Sequence, residues 1–423
     1  MIFIILFLIN SFSFCSEYSI QYDTFANFAK STNRVYTTST AFNCISEIHI
    51  TGSNVILKAG VESHQFVKLN NSGEEIATLT PGLGYENRFE GHPVYWEPSC
   101  FVTVGGSTIK KYDYNFDLVT SFGTNGAAQL TIEGSSIQLT TIIKEGNYYY
   151  VGGYKLTENP DYSFTIIARF TLDGTLDGAF NSSNTPGYII LNMINAAWGP
   201  HQMVIVDNHI IAKTSNNVLI SLSLENESAI TLANTIGLAE TCSIAPDDSG
   251  KSFYAYQADL NNSYIPTLFK YTASLQLDTS LNSTGKYVID FMSINSELSS
   301  NSISTLKTIN HQLFLLGGYP SSRTQGPFII CLSMKNKVPV LNSSFLGTGY
   351  FIGSPSDYPQ AGGTFDMIFS ETTLSSLFFS CGRHITKIPL GEEFVQTNGI
   401  IPMNINARLE FYRAHGKKIP FLI

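Results

Sequence analysis

Short apolar strands separated by tight polar turns recur along most of the chain. Seven segments have the form of a strand, a polar turn and a second strand that often closes on glycine. Two examples are residues 45–60, ISEIHITGSNVILKAG, and residues 137–153, IQLTTIIKEGNYYYVGG. Turn residues such as Gly146 and Asn147 tolerate positive φ, as two- to four-residue hairpin loops require. The pattern therefore predicts seven β-hairpins.

A second element follows most of the hairpins. It is a strand with a basic residue, followed by a loop in which a leucine precedes a Phe or Leu by four positions; we call the latter residue the anchor. The anchors are Phe122, Phe180, Leu281, Phe345 and Phe394. The leucines are Leu118, Leu176, Leu277, Leu341 and Leu390. A glycine and a short apolar strand follow each anchor. Their residue types predict that leucines and anchors both belong to the core.

Joined together, the two elements form a unit of four strands that recurs about every fifty residues, the signature of a propeller blade. A single four-stranded sheet cannot bury both of its faces, whereas radial stacking does so. The sequence thus predicts an all-β fold, a seven-bladed β-propeller of four-stranded antiparallel blades over residues 17–405. The fourth copy, around residues 218–237, has lost its anchor. The first strand of each hairpin, such as 137–143 or 203–206, is predicted to line the channel.

The last blade has two candidates for its outer strand. One is 400–405, which follows Phe394 as in the other units, and the other is 34–38, which precedes the first hairpin. We favour 34–38, because an N-terminal outer strand ties the ends of the chain together. The predicted ring is therefore closed between N- and C-terminal segments, and residues 406–423 form a basic tail outside it.

The repeat resembles the delta-sixty repeat family. Residues 173–180, DGTLDGAF, and residues 121–126, SFGTNG, match the two halves of that family's motif. The resemblance covers nearly all of residues 40–405, with departures: Leu281 replaces the Phe, and Ser221 and Cys331 replace the basic residue. It implies a β-propeller-like repeat array and transfers no catalytic residue. The Gly-Gly endings give a weaker resemblance to kelch-type propellers.

The beginning of the chain predicts export. Residues 2–9, IFIILFLI, form an apolar run that is too short to cross a bilayer and is typical of a signal peptide, here residues 1–16. The alternative is a buried first strand. The sequence contains no later candidate for a transmembrane segment, so the mature chain is expected to be secreted, extracellular or in the lumen of the secretory pathway. Sequons for N-glycosylation, which are permissive evidence, begin at Asn70, Asn181, Asn226, Asn261, Asn282 and Asn342.

Composition narrows the class of function. Of 423 residues, 43% are hydrophobic and only 13% charged, with a formal net charge of −9. The negative sign argues against a nucleic-acid partner, which requires a concentrated basic surface. No zinc, P-loop, dinucleotide or nucleophile-elbow motif is present. We therefore assign no catalytic residue, metal ligand or cofactor.

A few residues could carry chemistry. The repeated cations could form a ligand ring, but one basic residue per blade is more typical of a structural ion pair or of a donor to a neighbouring loop. They are Lys68, Lys111, Arg169, Lys270 and Lys387. Asp173 and Asp177 could bind calcium, although turn capping is the simpler interpretation. His92 and His201 could line the channel or its mouth.

Two functions follow from this architecture. The favoured one is a secreted, non-catalytic recognition or scaffold module that binds a protein or glycan through the loops of one face, as a monomer. The alternative is an extracellular hydrolase with its site at the mouth of the channel, because paired carboxylates can come from different blades and need no local spacing.

Overall fold

The chain folds as an all-β propeller of four-stranded antiparallel blades. The computed structural model describes residues 35–37, 45–52, 54–59, 65–70, 72–83, 93–155, 164–191, 199–214, 218–226, 229–237, 241–259, 265–298, 303–318, 326–354, 366–369, 376–381 and 384–390. The predicted outer strand 400–405 and the signal peptide lie outside these residues.

Six sheets, rather than seven, are built from strands that follow one another in the chain. The first sheet contains β2 (Ile45–Thr51), β3 (Asn54–Ala59), β4 (Gln65–Leu69) and β5 (Glu75–Leu79). The second contains β6 (Val94–Trp96), β7 (Cys100–Gly105), β8 (Thr108–Asp113) and β9 (Ala127–Gln129). The third contains β10 (Ile137–Glu145), β11 (Tyr148–Lys155), β12 (Phe164–Thr171) and β13 (Tyr188–Leu191).

The next three sheets continue this order. The fourth contains β14 (Pro200–Val206), β15 (His209–Thr214), β16 (Val218–Asn226) and β17 (Ala229–Gly237). The fifth contains β18 (Thr241–Pro246), β19 (Ser252–Asp259), β20 (Ile265–Thr272) and β21 (Lys286–Val288). The sixth contains β22 (Ile303–Ile309), β23 (Gln312–Gly317), β24 (Phe328–Ser333), β25 (Val340–Leu341) and β26 (Tyr350–Ile352), the last two of which both pair with β24. A short helix, α1 (Phe291–Ile294), and a 3₁₀ turn, Ser296–Leu298, precede β22.

One further sheet, which we call the composite sheet, combines both ends of the described chain. Its strands are β27 (Met367–Phe369), β28 (Ser376–Cys381), β29 (His384–Pro389) and β1 (Val35–Thr37). β1 pairs antiparallel with β29, so that Tyr36 lies opposite Ile385. The N-terminal strand thus occupies the position beside the last hairpin that the sequence favoured for residues 34–38.

In the third to sixth sheets the first strand is the inner one. β10 contacts β14, β14 contacts β18, and β18 contacts β22, although these strands belong to successive sheets. The prediction that the first strand of each hairpin faces the channel is therefore confirmed for β10 and β14. Apolar clusters fill the spaces between sheets: Met203 and Ile210 of the fourth sheet, for example, pack against Ile167 and Phe180 of the third.

The meander of each sheet gives the molecule two different faces. The turns between the first and second strands and between the third and fourth strands lie on one face, which we call the turn face. The connections between the second and third strands, and those leading to the next sheet, lie on the other, the connection face. Neighbouring turns interlock on the turn face, where Gly123 N donates to Asp173 O at 2.6 Å and Asp207 N donates to Gly250 O at 2.7 Å.

Anchor loops have the same geometry in several sheets. In the third sheet, Phe180 accepts a hydrogen bond from Gly187 N, and the carbonyl of Gly187 accepts one from Arg169 N. The residue after the anchor has positive φ, 53° at Asn181. The anchors are buried at Phe122, Phe180, Leu281 and Phe345, which confirms their predicted place in the core; Phe394 lies outside the described residues.

The leucines that precede the anchors are not all buried in this way. Leu118 is 42% exposed and Leu277 is 38% exposed, so the prediction as core residues was wrong for these two, whereas the buried Leu390 confirms it. Leu118, Leu176, Leu277 and Leu341 lie over the glycine that closes their loop, and a Cβ on Gly187 would approach Leu176 Cγ to 2.5 Å. In the repeated Leu–Gly pair, the leucine therefore covers the end of the anchor loop on the turn face; we call it the lid leucine.

The fourth sheet is the exception that the sequence indicated. β16 and β17 are each nine residues long and are joined by residues 227–228, with Asn226 opposite Ala229. This hairpin occupies the place of the anchor loop, which confirms that the anchor of the fourth copy is missing.

Candidate functional site

Arg169 is the clearest member of the repeated basic set. It is buried on β12, and its Nη2 lies 2.6 Å from Asp177 Oδ2, to which Nε also donates at 2.7 Å. The guanidinium carbon lies 4.3 Å from the ring centroid of Tyr148 and 5.0 Å from that of Phe180. The cation is thus used within its own sheet, where it fixes the anchor loop.

Lys270 has the same place in the fifth sheet. Its Nζ lies 3.1 Å from Asp247 Oδ2 and 3.2 Å from Asp278 Oδ2, and it donates to Ser280 Oγ at 3.1 Å. Asp278 stands four residues before Asn282, as Asp177 stands four before Asn181. The loop acid is therefore a repeated partner of the strand cation.

Lys111 lacks a loop acid, because Val119 occupies that position, and Glu97 replaces it. Glu97 lies 2.8 Å from both Lys111 Nζ and Lys144 Nζ, and Tyr149 Oη donates to it at 2.9 Å. Burial alone would raise the pKa of Glu97, but hydrogen bonds from Cys100 and these three residues lower it to about 2. Lys144 and Tyr149 belong to the third sheet, so this carboxylate joins two sheets.

Lys68 is a further member of the repeated basic set. Its Nζ donates to the backbone oxygen of Tyr114, in a loop of the second sheet, at 2.9 Å. The structural interpretation is confirmed at Lys111, Arg169 and Lys270 as ion pairs, and at Lys68 as a donor to a neighbouring loop. Lys387 is half-buried on β29.

A polar cluster lies on the inner strands where the first sheet meets its neighbours. Glu47 on β2 lies 3.8 Å from Lys58 Nζ through Oε1, and Trp96 Nε1 donates to Oε2 at 3.3 Å. Burial raises the pKa of Glu47 to about 7, against the opposing effect of Lys58. Burial therefore favours the protonated form of this side chain.

His49, two residues further along β2, is held between rings. It stacks on Trp96 with ring centroids 4.6 Å apart and an interplanar angle of 1°. Its Nε2 lies 2.8 Å from Tyr114 Oη, whose single hydrogen is donated to the backbone oxygen of Glu97. Burial lowers the pKa of His49 to about 4. The imidazole is therefore neutral at physiological pH.

Asp366 contacts the first and the sixth sheets from the composite sheet. Its Oδ2 accepts a hydrogen bond from Ile48 N of the first sheet at 3.1 Å, and its Oδ1 lies 3.5 Å from Lys307 Nζ of the sixth. Asp366 N donates to Ser380 Oγ at 3.0 Å within its own sheet. One carboxylate thus connects three sheets near the inner strands.

Glu47 and Asp366 are two carboxylates from different sheets, as the hydrolase alternative supposes. Their side chains are only 5% and 8% exposed, and each is engaged by a lysine and by a hydrogen bond. As arranged, they stabilise contacts between sheets and do not reach an external substrate. Sequence reasoning missed both; the available signal was the polar Glu47 and His49 at alternate positions of an apolar strand.

The other candidates have structural roles where they are described. Asp173 Oδ1 accepts from Thr175 N at 3.1 Å and from the Thr171 hydroxyl, which confirms turn capping. His201 is buried on β14, and His92 lies outside the described residues. Among the described residues, no three or more His, Cys, Asp or Glu side chains are grouped to hold a metal ion.

Three clefts of the described surface lie on the turn face. One, of about 590 Å³, lies between the second and third sheets and is lined by turn residues that include Gly123 and Asp173. Two smaller clefts, of about 210 and 110 Å³, lie beside Lys270 and Tyr254. The described residues include no helix that is long and apolar enough to cross a membrane.

Comparison with known proteins adds no family. No protein-family model matches the chain, and no curated protein matches it. Solved structures that resemble it include BamB from Moraxella catarrhalis, with 12% identity, a TM-score of 0.38, and coverage of 63% of this chain and 68% of that one. The computationally designed protein Ika8 gives 10% identity, a TM-score of 0.45, and coverage of 84% and 99%. Hsv2 from Kluyveromyces lactis gives 8%, 0.39, and coverage of 74% and 85%.

Proposed function

We propose that the chain is a secreted, non-catalytic recognition or scaffold module that binds a protein or glycan partner on its connection face. A propeller fold suggests a binding or scaffold module. The observation that carries the proposal is the difference between the two faces. Loops on the turn face are hydrogen-bonded to those of the neighbouring sheet, as between Asn282 N and Lys337 O at 2.6 Å.

The connection face has the variety that recognition requires. Links between second and third strands range from two residues, 106–107, to ten, 318–327, and the links into the second and sixth sheets, 80–93 and 289–302, are longer still. Exposed apolar side chains lie here as well: Met292 is 57% exposed on α1, and Val288 is 55% exposed on β21. Variable loops on a rigid scaffold are where binding residues concentrate.

The proposal includes a closed ring of seven blades, with the composite sheet as the seventh. Pairing of β1 with β29 supports it. β2 also contacts β27 and β28, and Phe378 and Ile385 pack in one cluster with Ile48. On the other side, Leu377 and Phe379 pack with Phe314 of the sixth sheet.

Export and the family remain part of the proposal. Residues 1–16 act as the signal peptide, 17–405 as the propeller and 406–423 as a basic tail. Membership in the delta-sixty repeat family is supported by the anchor loops. In each loop the closing glycine donates a backbone hydrogen bond to the anchor carbonyl, at Phe122, Phe180, Leu281 and Phe345. The enclosure of Glu47 and Asp366 favours binding over the hydrolase alternative.

The test is a binding screen of the mature chain against a glycan array and against extracellular protein fractions, followed by matched variants. Met292→Glu, on the connection face, should abolish the binding that the screen finds. Val338→Glu, on the turn face, replaces an apolar residue that is 47% exposed and should leave binding intact. Loss of binding with Val338→Glu alone would place the partner on the turn face and contradict the proposal. Hydrolysis of an arrayed glycan would favour the hydrolase alternative.

A further inference from the structure

Four of the six sequons have side chains that the structure describes, and in all four the asparagine amide donates a hydrogen bond. They are Asn70, Asn181, Asn282 and Asn342. N-glycosylation replaces one of the two hydrogens of Nδ2 with a bulky sugar, so the partner of the amide shows which part of the fold the sugar would lie against.

Both hydrogens of the Asn181 side-chain amide are used in hydrogen bonds. Its Nδ2 donates to Thr185 Oγ1 and to Tyr188 O, both at 2.8 Å, and the residue is only 6% exposed. Its φ of 53° is a conformation that asparagine tolerates better than most residues. This sequon therefore arises from the demands of the anchor loop.

Asn282 has the same role in the fifth sheet. Its φ is 48°, and its Nδ2 donates to Lys286 O at 3.0 Å. The third sequon residue, Thr284, donates its hydroxyl to the same carbonyl. A sugar on Asn282 would take one of the two Nδ2 hydrogens and lie against the backbone that closes the loop.

Asn342 stands in a third structural position, that of the loop acid. Its Nδ2 donates to Gln312 Oε1 at 2.7 Å, and its Oδ1 accepts from the Ser344 hydroxyl at 2.7 Å. The amide is thus used by a side chain of β23 and the sequon hydroxyl by the loop itself.

Asn70 differs because its two side-chain atoms have separate tasks. Oδ1 holds the turn between β4 and β5 by accepting from Ser72 N and Glu74 N, both at 2.9 Å. Nδ2 donates to the exposed carboxylate of Glu74 at 2.7 Å. A sugar on Nδ2 would leave both turn hydrogen bonds in place and would disturb only a contact at the surface.

We propose that Asn70 is an N-glycosylation site of the folded chain and that Asn181, Asn282 and Asn342 are structural asparagines that stay unmodified. The acceptor would receive its oligosaccharide in the secretory pathway, so the physiological meaning rests on the proposed export. The assignment itself rests only on the geometry of these loops.

The experiment expresses the chain behind a host signal peptide in eukaryotic cells, which makes the result independent of residues 1–16. Secreted protein is treated with peptide N-glycosidase F in ¹⁸O water, and its peptides are analysed by mass spectrometry. We expect ¹⁸O-labelled aspartate at position 70 and unlabelled asparagine at positions 181, 282 and 342. A labelled residue at any of those three positions, or an unlabelled position 70, overturns the assignment.

Matched variants separate modification from structure. Asn70→Gln should increase gel mobility by one glycan and leave the thermal midpoint of the deglycosylated protein unchanged. Asn282→Gln should leave mobility unchanged and lower the midpoint, because glutamine tolerates the positive φ less well. The opposite pattern, with a mobility change only for Asn282→Gln, would refute the proposal.

Discussion

At the scale of the residue, the molecule is organised around cations that lie against aromatic rings. Lys111 Nζ lies 5.5 Å from the ring centroid of Tyr149, and Lys270 Nζ lies 5.6 Å from that of Tyr254. A ring face attracts a cation but cannot neutralise it. Each cation therefore needs an acid, and Glu97 supplies it where the loop offers only Val119.

Removing one member of the buried Arg169–Asp177 pair should be costly. Arg169→Met leaves the Asp177 carboxylate without its partner, and breaking a buried pair costs about 3–5 kcal/mol. Denaturant unfolding should show this loss for Arg169→Met, and a smaller loss for the double variant with Asp177→Leu, in which both charges are gone. Equal losses for the single and double variants would contradict an ion-pair role.

Two buried groups on β2 should give opposite dependences of stability on pH. The pKa of Glu47 is raised to about 7, so between pH 4.5 and 7 the folded chain binds more protons than the unfolded chain, and stability falls as pH rises. The pKa of His49 is lowered to about 4, so between pH 4 and 6.5 the unfolded chain binds more protons, and stability rises with pH. In the parent chain the two slopes oppose each other.

Variants should separate the two slopes. Glu47→Gln should leave a free energy of unfolding that rises between pH 4.5 and 6.5, and His49→Phe one that falls, each by up to a few kcal/mol. Urea titrations at several pH values measure both. Parallel curves for the two variants would show that these groups do not control the dependence.

At the scale of the element, the anchor loop is the unit that repeats. Its aromatic residue enters the core between sheets: Phe345, for example, lies edge-on to Phe314 with ring centroids 5.6 Å apart. The leucine of the same loop covers a glycine on the turn face. The two apolar residues of one motif thus contribute differently to the free energy of unfolding.

Truncating an anchor should destabilise the chain far more than truncating a lid leucine. Phe122→Ala or Phe345→Ala should cost about 3–5 kcal/mol, the range for a buried aromatic side chain. Leu118→Ala, at a residue that is 42% exposed, should cost much less. Thermal unfolding of the three variants checks the order, and a Leu118→Ala midpoint below that of Phe122→Ala would reverse our assignment.

At the scale of the whole molecule, the ends of the chain meet in one sheet. Thr37 lies opposite His384, and Val35 lies opposite Thr386. Asp366 adds an ion pair with Lys307 of the sixth sheet and a hydrogen bond from Ile48 N of the first. The composite sheet is therefore the point at which the most distant parts of the sequence depend on each other.

Deleting residues 17–40 should lower stability sharply, because it removes β1 and exposes the edge of β29. The six sheets of consecutive strands keep all of their own strands and should retain most of the far-ultraviolet circular dichroism. Differential scanning calorimetry of the truncated and mature chains measures the difference. A truncated chain that melts with the mature one would show that β1 adds nothing.

The architecture could be predicted from the sequence because its units repeat. Features that do not repeat could not be predicted. Hairpins, anchors and the outer position of 34–38 could be predicted because each follows a local pattern or a topological argument. The exposure of Leu118 could not, because a leucine over a glycine has the same sequence signature as a core leucine. Glu47 and Asp366 meet across a large separation in the chain, and no spacing rule connects them.

The pairing of β1 with β29 also sets an order in time. Ribosomes add about 5–20 residues per second, so His384 is made roughly 20–70 seconds after Thr37. Throughout that interval the earliest strand of the described chain has been synthesised without the strand on which it will lie, whereas each of the six sheets can assemble as soon as its own four or five strands have emerged. The composite sheet is therefore the last sheet to form during synthesis. A chain that is interrupted before β29 still carries β1 as an unpaired strand, and this unpaired strand distinguishes it from a complete chain.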